Sequence, residues 1–183
     1  MGLTAFPVVA RGVDLTIRKT QTDITLMRDF EPGAIGAFKN PTTGQWALVR
    51  AIRNGAGLVN QGDVMVGDQA SLADYSVIQS ATTDGHQPYF RGIACSSMAT
   101  NAYGWMYIAG YVEKVNISQS VVTGEMLSMS ASVAGNLTND RASSAWNATL
   151  GTSINATVPW PIAIANGSSA TGVSSVQLLR MSW

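Results

Sequence analysis

Apolar and polar positions alternate along most of this chain. From Gln45 the order QWALVRAIRNG sets Trp46, Leu48 and Arg50 on one side of an extended segment and Ala47, Val49 and Ala51 on the other. That is the period-two pattern of a strand, and Asn54-Gly55 supplies a turn at its end. The stretch NAYGWMYIAGYVEKV carries the same period through uncharged residues 103–112. Tyr103, Trp105, Tyr107 and Tyr111 fall on one face, and Met106, Ile108 and Val112 on the other. A helix fits worse, because Gly104 and Gly110 would each cost about 1 kcal/mol relative to alanine. The segment reads as a strand covered on both faces.

Shorter strands fill the rest. EPGAIG and NPTTG place turns on either side of Ala37-Phe38. GLVNQGDVMVGD reads as a short hairpin or bulged strand around Gly62, and residues 75–79 and 91–94 as two more strands. VVTGEMLSMSASVAGNLT gives a turn at Gly124, a strand and a turn at Gly135-Asn136. VPWPIAIANGSSATGVSSVQLLRM gives two strands joined by a Gly- and Ser-rich loop. Only NDRASSAWNATL has helical spacing, with Ala142, Trp146 and Leu150 on one side. About nine or ten short strands at such spacing predict an all-β fold, a small barrel or sandwich of tulip-like or jelly-roll-like form. QGDVMVGDQAS and TGEMLSMSAS echo one another, which we read as two similar strand starts rather than a repeat.

Two regions follow. Residues 1–30 read as an extended N-terminal arm, since Phe6-Pro7 favours an extended entry and the apolar positions Phe6, Val8, Val13, Leu15 and Ile17, then Ile24 and Leu26, are not divided by compact turns. Residues 31–183 read as the all-β domain. The arm is expected to order against a partner, by adding a strand to a neighbour's sheet edge.

Composition sharpens this picture. Charged residues make up 12% of the chain, with eleven of each sign, about half the usual share. The balance gives no field that would draw nucleic acid or an anionic membrane, so neither is an expected partner. Residues 1–74 hold seven acids and seven bases, and residues 75–183 only four of each. So sparse a surface charge promotes association. The start lacks a basic stretch followed by a long apolar core, and no apolar run reaches the roughly 18 residues that span a bilayer. Five Asn-x-Ser/Thr sites, at Asn116, Asn136, Asn147, Asn155 and Asn166, follow from the abundance of these residues.

Candidate chemistry is thin. His86 is the single histidine, in DGHQP beside Asp84, and Cys95 the single cysteine. A Cys95–His86 dyad is the sharpest catalytic arrangement available, but Cys95 ends an apolar strand where cysteine acts as a small hydrophobe. One histidine and one cysteine cannot close a zinc shell, and Asp63 and Asp68 read as acids of a solvated turn rather than a cation site. No catalytic residue, cofactor or metal is therefore expected. The aromatic face of Tyr103, Trp105, Tyr107 and Tyr111 has three readings: core, a subunit interface, or a platform for sugars. Aromatic residues are enriched at interfaces, so these four join the arm positions Phe6, Val8, Val13, Leu15 and Ile17 as the candidate interface.

The ordered series RGIA (91–94), AYGWMYIAGYVEKV, VVTGEMLSMSASVAGNL, PWPIAIANG and VSSVQLLRM resembles the head decoration, or cement, proteins of tailed bacteriophages. The likeness covers roughly residues 60–183; the first 60 match no pattern of that family, and NDRASSAWNATLGTSINAT is longer than its pattern has there. The resemblance implies a non-enzymatic virion component on the capsid exterior, made in the host bacterial cytoplasm. Its partners would be the major capsid protein and itself, as a homo-oligomer expected to be a trimer. Two alternatives share the composition: a phage tail, fibre or baseplate protein, and a carbohydrate-binding β-module.

Overall fold

Turn residues and alternation together deliver the strands. The computed structural model describes residues 31–40, 42–68, 75–81, 90–130, 132–139, 161–170 and 172–179. The expected arm, the loop around His86 and the expected helix over residues 139–150 lie outside the described residues, apart from Asn139. Among the described residues ten strands are formed: β1 (Ile35–Lys39), β2 (Trp46–Asn54), β3 (Val64–Gly67), β4 (Ser76–Gln79), β5 (Phe90–Ala94), β6 (Tyr103–Ile117), β7 (Met126–Met129), β8 (Leu137–Thr138), β9 (Ala163–Ala165) and β10 (Gly172–Leu178). In β2 the alternation resolves as expected, with Trp46 and Leu48 exposed and Ala47 and Val49 buried.

Four strands form a staggered antiparallel sheet in the order β1-β2-β6-β10. The short strands then close it into rings. β2 pairs in parallel with β4, β4 with β3, β3 with β5, and β5 returns to β6, which already pairs with β2. Five strands thus make a small barrel without edges among themselves. Its interior takes one buried apolar side chain from each: Ile52, Met65, Val77, Ala94 and Met106, in a single cluster.

The same circuit is built again. β6 pairs in parallel with β8, β8 with β7, β7 with β9, and β9 returns to β10, which pairs with β6. Strand for strand this repeats the first barrel, with β6 serving as its last strand and as the second barrel's first. The interior positions correspond as Val115, Leu127, Leu137, Ala165 and Val176, again in one cluster. Registers agree: Val64 faces Ile93 and Met65 faces Gly92, while Met126 faces Ile164 and Leu127 faces Ala163. Single bridges flank both barrels, Val59 with Met98 and Val121 with Ser169. Gly62 and Gly124 hold φ of 86° and 90°, and their N–H groups donate to the carbonyls of Ala94 and Ala165 at 3.0 and 2.8 Å.

The echo between QGDVMVGDQAS and TGEMLSMSAS is therefore a repeat, not a coincidence of strand starts. It marks β3 and β7, the middle strands of two equivalent units. The first barrel also lends an outer face to the second barrel's core. Val64, Val66, Phe90 and Ile93 are buried in the same cluster as Val115, Leu127 and Val176.

Candidate interaction surfaces

β6 carries the aromatic face, and two neighbours decide how much of it is free. The ladder sets Ala51 opposite Trp105 and Arg53 opposite Tyr103. Tyr103 and Trp105 are 7% and 6% exposed and pack with Val49, Ala51 and Cys95. The expectation of an interface is corrected at these two positions. Small residues on β2 leave room for the large rings, so both are spent on the chain's own core. Tyr107 and Tyr111 are half-buried. Tyr107 meets Phe38 edge to face, with centroids 6.3 Å apart. The other candidate interface residues, Phe6, Val8, Val13, Leu15 and Ile17, lie outside the described residues.

Cys95 is buried beneath Tyr107. Loss of solvent pushes its thiol well up from the usual range, against a smaller opposing effect of hydrogen bonds with Tyr107. Burial likewise raises the Tyr107 hydroxyl, helped by Cys95 and Glu113. A thiol so held is a poor nucleophile, because the thiolate is the reactive form. Native protein is accordingly expected to leave Cys95 unmodified by iodoacetamide at pH 8 and to expose one reactive thiol on unfolding. Rapid labelling of native protein would contradict this placement.

Asp63 differs from its expected role. It is buried, not solvated. Its Oδ2 accepts the Asn60 N–H at 2.8 Å and Gln79 Nε2 at 2.7 Å, and Oδ1 accepts Asn116 Nδ2 at 2.7 Å. The carboxylate thus ties β3, β4 and β6 together, and its oxygens are already engaged. Among the described residues no group of three or more His, Cys, Asp or Glu could hold a metal ion. Glu125 is the counterpart of Asp63 in the second barrel. Its Oε2 accepts the Val122 N–H at 2.8 Å and Asn139 Nδ2 at 3.0 Å, but it is only half-buried.

That difference gives a test. Asp63→Asn replaces one of the two acceptor oxygens by an NH2 group that faces a donor, Asn116 Nδ2 on one side or Asn60 N and Gln79 Nε2 on the other, so it is expected to cost about 1–3 kcal/mol. Glu125→Gln, with water at hand, is expected to cost less than half as much. Denaturant midpoints of the two variants check this, and equal losses would contradict the burial difference.

The exposed apolar side chains were missed as sites by sequence reading. Among the described residues they are Trp46, Leu48, Leu58 and Tyr75 on the first barrel and Val122, Met126, Val133 and Val173 on the second. For Trp46 and Leu48 a signal existed, since alternation placed both on the face opposite Ala47 and Val49. For Met126 it did not, because its counterpart Val64 is fully buried. Comparison with known protein families and with curated proteins finds no match.

Proposed function

We propose that this chain is a structural protein of a tailed-phage head, binding the outer surface of the capsid and clamping neighbouring shell subunits as a homo-oligomer, a trimer by preference. The observation that carries the reading is the ordered series of segments from RGIA to VSSVQLLRM, whose described parts fall on consecutive strands β5 to β10. Two further features support it. The last 109 residues hold only eight charges, and apolar side chains stand exposed on both barrels.

The work of such a protein is mechanical, and no catalytic role is assigned to Cys95 or His86. Each copy buries modest apolar area across a seam between capsomers. Many linked copies convert modest contacts into strong avidity. A shell with local three-fold points favours a three-fold cement. Within this reading the N-terminal arm is a docking element. Deleting residues 1–20 is expected to leave a folded, soluble domain that binds purified shells poorly in a sedimentation assay. Wild-type shell binding by the truncated chain would remove the arm from this role.

A further inference from the structure

Two Asn-Gly steps occur in the chain, Asn54-Gly55 and Asn166-Gly167, and the fold treats them in opposite ways. Asparagine is thermolabile, and least protected before glycine, where no Cβ shields the backbone nitrogen that attacks the asparagine's own side chain. The attack closes a five-membered ring. It needs a free side-chain amide, a free glycine N–H and room to turn.

Asn54 has none of these. It is 0% exposed, and its Nδ2 donates to the carbonyls of Gly57, Met98 and Ala99 at 2.8, 3.2 and 3.0 Å. The Gly55 N–H donates to the Val77 carbonyl at 2.8 Å. A Cβ on Gly55 would stand 2.3 Å from Asp68 Oδ2, so the step is also tightly enclosed.

Asn166 opens the turn between β9 and β10, and it is exposed. Neither its side chain nor the Gly167 N–H makes a hydrogen bond among the described residues. The backbone around them is nevertheless pinned. The Asn166 N–H donates to the Ser175 carbonyl at 2.9 Å, and the Gly167 carbonyl accepts Ser174 Oγ at 2.8 Å. The two reacting groups are loose within a fixed frame.

We propose that Asn166 is a site of spontaneous covalent modification, an intramolecular deamidation that the fold permits there and prevents at Asn54. The Gly167 nitrogen attacks Asn166 Cγ. As the new C–N bond forms, the Gly167 proton passes through water to the departing nitrogen, the Cγ–Nδ2 bond breaks and ammonia leaves. Water then opens the cyclic imide. Addition at Cγ gives aspartate; addition at the backbone carbonyl gives isoaspartate, whose main chain runs through Cγ. Either product is a carboxylate, with one proton released and no oxidant or reductant consumed. A negative charge thus enters the 109 residues that hold only eight charges. Isoaspartate also adds a backbone carbon between the two pinned points, so their hydrogen bonds cannot both be kept. Ser168 Oγ accepts the Thr123 N–H at 3.2 Å, which carries the change to the turn before β7, beside the exposed Val122. The inference concerns the chain's own chemistry and stands apart from what the protein binds.

Peptide mapping of purified full-length protein, held at pH 8 and sampled over weeks, tests it. Acid is expected to accumulate at position 166 at least tenfold faster than at position 54, with isoaspartate exceeding aspartate. In denaturant the two sites are expected to convert at similar rates, because the fold alone separates them. Gly167→Ala adds a Cβ that meets only the Ser175 and Ser174 hydroxyls, at 3.3 and 4.0 Å, so it is expected to fold and to slow conversion at Asn166 strongly. Conversion at Asn166 no faster than at Asn54 in native protein overturns the inference. So does a product of aspartate alone, a gap between the sites that persists in denaturant, or an unchanged rate in folded Gly167→Ala. The comparison of the two asparagines needs no substitution and decides the matter should that variant not fold.

Discussion

Trp105→Ala is expected to destabilise the protein by about 3–5 kcal/mol, the range for removing a buried indole from a packed core. The ring lies on the outer face of the first barrel among Val49, Ala51, Cys95 and Tyr103. Two of these neighbours are too small or too short to fill the space it leaves. The backbone there is also fixed, since the Trp105 carbonyl accepts the Cys95 N–H at 3.0 Å, so collapse is limited. The second barrel holds Ser175 at the equivalent place, and its carbonyl accepts the Asn166 N–H at 2.9 Å. The strand itself thus tolerates a small residue; the cost in the first barrel arises from the apolar neighbours stranded around the cavity. Denaturant unfolding at low and high protein concentration measures it. A full loss at low concentration places Trp105 in the core of the single chain. A loss only in the assembled protein would return it to an interface, and none in either state would contradict both roles.

Gly110→Ala is the second large effect, about 2–5 kcal/mol. Gly110 holds φ of 90°, where a side chain costs about 1–2 kcal/mol. Its Cβ would also stand 2.4 Å from the Trp46 carbonyl oxygen and 2.8 Å from the Ala47 Cα. Both atoms belong to backbone, so no rotamer change relieves the overlap, and overpacking adds about 1–3 kcal/mol. The position matters because β6 passes there from one barrel to the next, pairing with Ala47 of β2 and Leu178 of β10. Gly124→Ala supplies the control. It has the same φ of 90° with nothing within 4 Å, so only the conformational part is expected. Equal losses from the two substitutions, by thermal unfolding, would show that the close approach to β2 carries no cost.

The strands were legible in the sequence because each is written locally. Turn residues bound β1, alternation marks β2, and the glycines within residues 103–112 argue against a helix there. Closure was not legible. The parallel pairs that seal the barrels join Arg53 to Ser76 and Ile117 to Leu137, and no local pattern encodes a partner so far along the chain. The repeat was hidden for a related reason. Interior positions correspond in character, as Ile52 with Val115 or Met106 with Val176, but almost any two apolar strands do. The outer positions diverge, Trp105 against Ser175 and Cys95 against Asn166, because the two barrels cover different surfaces. Only β3 and β7 kept a shared turn, with a glycine at positive φ followed by an acid.

Asp63 was misjudged by the same locality. An acid after Gln-Gly in a turn has the look of a solvated group. Its burial depends on Gln79 and Asn116, which the fold brings to it from other strands. Tyr103, Trp105 and Tyr107 do share one face of β6, opposite Arg53, Ala51 and Val49. A register shift then sets Gly110 opposite Ala47 and turns Tyr111 to the other face. Whether a face is core or interface depends on what packs on it. Small residues at Ala51 and Cys95 answered that for Tyr103 and Trp105.

On the proposed function, this protein ties capsid subunits together from outside. The most direct test compares purified particles that carry the protein with otherwise identical particles that lack it, heated stepwise while release of the packaged genome is followed and the protein is located by imaging. The expected result is protein at regular positions over the head, and rupture of the deficient particles at a lower temperature or under milder osmotic shock. Equal resistance of the two, or protein found only on the tail, would contradict it.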